Sequence, residues 1–60
     1  MEYYTIKDIQ KKTGLGYSTV YKLVQVKGFP KIKIGNRIIV PIDKFEKWME
    51  DNIGNKIDIG

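Results

Sequence analysis

Glycine and proline cut this chain into short pieces. Gly14-Leu15-Gly16, Gly28-Phe29-Pro30, Gly35-Asn36, Pro41 and Gly54 leave no uninterrupted stretch longer than thirteen residues. Both residue types break helices, and Gly-Asn between apolar alternations marks a hairpin turn. The fold must therefore be assembled from helices of two or three turns and from short strands. At 60 residues it is one domain. A chain of this size buries only about 60% of the surface that its unfolded form exposes. No cysteine is present to add a disulfide.

Within these limits each piece has a readable pattern. Thr5 followed by Asp8 marks a helix start, with an oxygen to cap a free N–H and a negative charge in the first turn. Ile6 and Ile9 face a core, and Gly14 stops the helix, which is expected over residues 6–13. Val20, Leu23 and Val24 form the apolar stripe of a second helix, expected over residues 17–26. Phe29 is expected to fold back over the core. The alternation from Lys31 to Val40 predicts a β-hairpin. A three-residue loop at residues 35–37 places Ile32, Ile34, Ile38 and Val40 inward and Ile39 outward. A two-residue loop would put Ile34 opposite Arg37. The longer loop is preferred because it keeps the apolar face continuous. Pro41 opens a third helix over residues 42–52, with Ile42, Phe45, Trp48, Met49 and Ile53 on its inner stripe. Asp43 and Lys47 are spaced to pair on its outer face. The expected domain spans residues 1–53, and residues 54–60 form a flexible tail that frays.

Charge is divided along the chain. Residues 1–41 carry eight Lys/Arg against Glu2 and Asp8, while residues 42–60 carry three lysines against five acids. A localised basic field attracts a polyanion, although lysines also serve simply to solvate a small surface. Two short helices joined by a tight glycine turn make a helix-turn-helix, whose second helix presents its early residues to base edges in the major groove. Ser18, Lys22 and Gln25 cluster opposite the apolar stripe of that helix and can hydrogen-bond to bases or phosphates. No acid occurs between Lys11 and Arg37. Thr19, with the first-turn N–H groups, is expected to hold a phosphate. Tyr17 is expected to stack on a sugar or touch a base, or else to pack against helix one. Tyr21 either reaches a phosphate or packs. The hairpin forms a wing. Asn36 and Arg37 at its tip suit a narrow minor groove, and Lys31 and Lys33 suit flanking phosphates. The plain alternative for Arg37 is a solvated turn residue.

Catalysis is not expected. The chain has no histidine and no cysteine. It also shows no phosphate-binding glycine loop, nucleophile–base pair or metal-ligand cluster. No cofactor or metal is expected, and Trp48 is expected in the core. No apolar run could span a bilayer and residues 1–4 do not resemble a signal peptide, so a cytoplasmic location is expected.

The order Thr5-Ile6-Lys7-Asp8-Ile9, Thr13-Gly14-Leu15, Ser18-Thr19-Val20-Tyr21-Lys22-Leu23, Gly28-Phe29-Pro30, Lys33-Ile34-Gly35-Asn36-Arg37, Val40-Pro41 and Phe45-Glu46-Lys47-Trp48-Met49 resembles the excisionase-type, MerR-like winged helix-turn-helix family. The likeness runs over about residues 3–52. It implies a mainly α fold of three helices with a small β-hairpin wing. It implies an excision factor of a phage or transposon that binds repeats in double-stranded DNA, bends them and assists an integrase or other recombinase. A small transcription regulator of the same mobile elements is the alternative. A protein-interaction module that binds no DNA is a third reading. The family's recognition contacts fall on Tyr17, Ser18 and Lys22, and its wing contact on Arg37. Two positions depart from the family pattern: Tyr17 stands where Arg is common, and Ile39 where a second wing Arg is common. Ile39 is therefore a candidate contact for a neighbouring copy or an integrase.

Overall fold

The computed structural model describes residues 2–59. Its elements are β1 (Tyr3–Tyr4), α1 (Ile6–Thr13), α2 (Tyr17–Leu23), β2 (Ile32–Ile34), β3 (Arg37–Pro41) and α3 (Ile42–Asp51). The three strands form one antiparallel sheet in the order β1-β3-β2. This is a winged helix-turn-helix with an additional strand on the wing's inner side.

α1 begins where Thr5 and Asp8 cap each other. The Thr5 N–H donates to Asp8 Oδ2 at 2.9 Å, and the Asp8 N–H donates to Thr5 Oγ1 at 3.3 Å. Together they satisfy two of the helix's free donors. The helix ends at Gly14, whose φ of +74° is cheap only for glycine and whose N–H donates to the Gln10 carbonyl at 2.8 Å. Thr13 ties down the turn. Its hydroxyl donates to the Ile9 carbonyl at 2.7 Å and accepts from the Leu15 N–H at 3.3 Å.

α2 is shorter than its apolar stripe suggests. It stops at Leu23, and residues 24–28 form turns, with Val26 N–H reaching back only three residues to the Leu23 carbonyl. Val20, Leu23 and Val24 are nonetheless all buried. They join Ile9, Phe29, Ile38, Val40 and Phe45 in a single core. Phe29 folds back as expected. Its ring lies 4.9 Å from Trp48 and 6.1 Å from Phe45, both edge-on. Trp48 is half-buried against this core. Ile53 does not join it: 79% of the residue is exposed, because α3 ends two residues earlier.

The hairpin differs from the expected register. Ile34 pairs with Arg37, Lys33 with Ile38 and Ile32 with Ile39, so the loop is the two-residue Gly35-Asn36 turn. Gly35 has φ of +59° and Asn36 does not have positive φ, as in a type II′ turn, whose twist matches that of the flanking strands. This turn geometry outweighs the continuous apolar face. Ile38 and Val40 alone are buried from the hairpin, while Ile32 and Ile34 face outward and are exposed. β3 is also held from its other side, where Tyr4 pairs with Val40 and Tyr3 with Pro41. Tyr4 then meets Phe45 edge-on at 5.6 Å.

Residues 55–59, expected to belong to a flexible tail, carry no helix or strand, and Ile57 and Ile59 are half-buried against the core.

Candidate nucleic-acid interface

α2 is placed by its buried side. With Val20 and Leu23 turned into the core, positions 17, 18, 21 and 22 are left facing out. Tyr17, Ser18, Tyr21 and Lys22 line one shallow depression, and all four are exposed. Tyr17 is 58% exposed and does not join the core. Its ring instead stacks on Tyr21, with centroids 6.1 Å apart and planes 29° from parallel. The early face of α2 therefore presents two aromatic rings beside an ammonium and a hydroxyl.

Gln25, expected on this face, and Thr19, expected at the helix start, line other depressions. Thr19 is turned to the opposite flank, where it lines an apolar groove with Leu15, Leu23, Trp48, Met49, Ile57 and Ile59. Gln25 lies beyond the end of α2. It keeps company with Lys22 but not with Tyr17 or Ser18, and it shares a groove with Val26, Asp58 and Ile59. Asp58 thus stands beside the interface, which sequence reasoning missed. The signal was present in the Ile57–Ile59 alternation, which anchors that segment.

At the wing tip, Asn36 and Arg37 line a depression with Thr5, Ile6, Lys7 and Ile38. Lys7 is the second missed residue. It lies thirty positions before Arg37, and only the fold brings the two cations to one groove. Lys31 and Lys33 are expected on the outer face of the hairpin, but the two-residue turn pairs Lys33 with buried Ile38 and so puts it on the inward face, where it is still exposed. Lys31 is half-buried just before β2. Ile39 is half-buried and shares the outward face of the wing with Ile32.

The charges on these elements are available. Among the described residues the one ion pair is Lys47 with Asp51 at 3.7 Å, rather than with Asp43, and both partners are well exposed on α3. Lys7, Lys22, Lys33 and Arg37 form no ion pair among the described residues, although Asp58 lines one groove with Lys22. A surface cation outside an ion pair gives up no short contact when it meets a phosphate. No group of three potential metal ligands occurs among the described residues. No described helix is long and apolar enough to cross a membrane.

The arrangement suits a grooved polyanion. A short outward helix offers hydrogen-bonding and apolar groups at one place, and a two-stranded wing offers a guanidinium at another. A family described as "Helix-turn-helix domain" matches residues 3–53. No curated protein and no solved structure matches the chain.

Proposed function

The chain belongs to the helix-turn-helix domain family, and from that premise we propose that it is a sequence-specific binder of double-stranded DNA, working as an excision factor without catalysis of its own. The observation that carries the reading is the outward face of α2. Tyr17, Ser18, Tyr21 and Lys22 are all exposed there, on a helix flanked by cations that form no ion pair among the described residues. In a helix-turn-helix that face belongs in the major groove. The wing then adds Arg37, with Lys7 beside it, at the minor groove or its phosphates.

Size supports the use of repeated sites. The longest dimension is 31 Å, less than one turn of B-DNA at about 34 Å. A single copy covers too little duplex for strong discrimination, so neighbouring copies or an integrase supply the rest. The outward face of the wing, with Ile32, Ile34 and Ile39, is the surface such a neighbour would meet. Ile39→Arg should then reduce cooperative binding to paired sites while leaving binding to one site intact.

Two measurements test the proposal. Affinity for duplex DNA should fall steeply as salt rises, because each neutralised phosphate releases counterions. A footprint on the natural DNA should show several phased sites beside a recombination junction. One site over a promoter would identify a transcription regulator instead. Affinity that ignores salt would leave the protein-interaction reading.

A further inference from the structure

The rings of Tyr17 and Tyr21 are an unusual use of a surface. They are 58% and 39% exposed, they stack on each other rather than on the core, and they stand on the face of α2 that holds Ser18 and Lys22. Residues 17 and 21 are one helical turn apart, so one occupant can touch both rings. A phosphate would take a hydrogen bond from a tyrosine hydroxyl and leave the ring faces uncovered, so it is not the occupant that the stacked faces select. A base face cannot be it either, since bases in a duplex are covered by their neighbours. The apolar group that a major groove does offer is the C5-methyl of thymine. Lys22 and Ser18 stand alongside with donors for the acceptor atoms on the same or the adjacent base edge.

We propose that the stacked Tyr17–Tyr21 pair reads a thymine methyl group in the major groove, with Lys22 donating to the neighbouring base edge. The inference rests on the DNA-binding reading above and adds the base chemistry that α2 selects. The aromatic pair gives the protein a preference for a methyl group where a guanidinium in its place would prefer guanine.

The test starts from the duplex that the protein enriches out of a random duplex pool. In that duplex each thymidine is replaced in turn by deoxyuridine, which removes only the methyl. At one or two positions the substitution should weaken binding about four-fold, the value of one buried methyl-sized group. The double variant Tyr17→Ala/Tyr21→Ala should bind the thymidine and deoxyuridine duplexes equally. The variants Tyr17→Phe and Tyr21→Phe keep the rings and should keep the deoxyuridine penalty. If no position responds to deoxyuridine, or if the alanine variant responds as the parent does, the inference is wrong although DNA binding stands. If the penalty vanishes in the phenylalanine variants, the hydroxyl groups carry the contact and the inference is again wrong. If no duplex is enriched and binding ignores salt, the DNA-binding reading falls and this inference with it. Both residues are exposed, so an unchanged thermal melting curve will show that the variants remain folded.

Discussion

Lys22 stands in the middle of the outward face of α2, next to both tyrosines on one side and Gln25 on the other. A side chain so placed can donate to guanine O6 and N7, and a good base contact is worth about 1–3 kcal/mol of discrimination. Lys22→Ala should therefore narrow the gap between specific and non-specific affinity, read by competition with unrelated duplex. Arg37 is different, because it stands on a wing tip beside Lys7. Arg37→Ala should weaken binding to all sequences, reduce the slope of affinity against salt by about one, and blunt any preference for A/T-rich flanks. Asp8 shows the residue scale acting on stability. Hydrogen bonding from the Thr5 backbone, chiefly, holds the Asp8 carboxyl below the usual carboxylate range; burial opposes it, and the Thr5 hydroxyl and Lys11 add smaller lowering effects. A carboxylate with a lowered folded pKa contributes its stabilisation above the unfolded pKa and loses it as pH falls through the folded value. Melting temperature should therefore drop on acidification, and Asp8→Asn should show a smaller drop. Thr5→Ala removes the capping oxygen and should cost about 1 kcal/mol at neutral pH.

At the scale of elements, local signals and long-range pairings divided the work. The span of α1, the start of α2 and the presence of the hairpin and α3 were legible because caps, glycine stops and apolar spacing act within a few residues. The hairpin register was not, because two local rules disagreed. Apolar continuity favoured a three-residue loop, and the positive φ of Gly35 in a two-residue turn prevailed. β1 was illegible for another reason: Tyr3-Tyr4 is a strand only because β3 lies beside it. The candidate site divides the same way. The α2 face at residues 18 and 22 followed from the helical wheel. That Thr19 lines the groove made by Trp48 and the tail was not legible because that groove is tertiary, and Lys7 was missed because its neighbour Arg37 arrives through folding. The turn makes a direct prediction. Gly35→Ala should cost about 1–3 kcal/mol, since a side chain at that φ is strained. Its affinity for DNA should fall more than that of a variant equally destabilised in α3, because the strain is localised in the wing.

The whole molecule has one small core, and that sets its tolerance. Among the described residues, eight buried apolar side chains hold two helices, a sheet and a third helix together. A domain of this length commonly has a stability of roughly 0.05–0.15 kcal/mol per residue. Ile9 is fully buried beneath α2, and Ile9→Ala should cost about 2–5 kcal/mol. That loss is a large share of the total, so the variant should melt at a much lower temperature by circular dichroism. DNA should stabilise it further with the logarithm of DNA concentration above Kd, since a ligand that binds only the folded form shifts the equilibrium by mass action. The same coupling means that loss of binding in any core variant reports unfolding first and recognition second.

The tail against α2 has a practical consequence. Asp58 and Ile59 line a groove with Lys22 and Gln25, held there by the packing of Ile57 and Ile59. The chain contains no cysteine, so Asp58→Cys creates a single attachment point for a dye. A fluorophore there sits beside the reading face, and its emission should change when duplex arrives, giving a direct signal of docking. A bulky purification handle joined after residue 59 occupies the same ground and should obstruct it, whereas one joined before β1 leaves α2 clear.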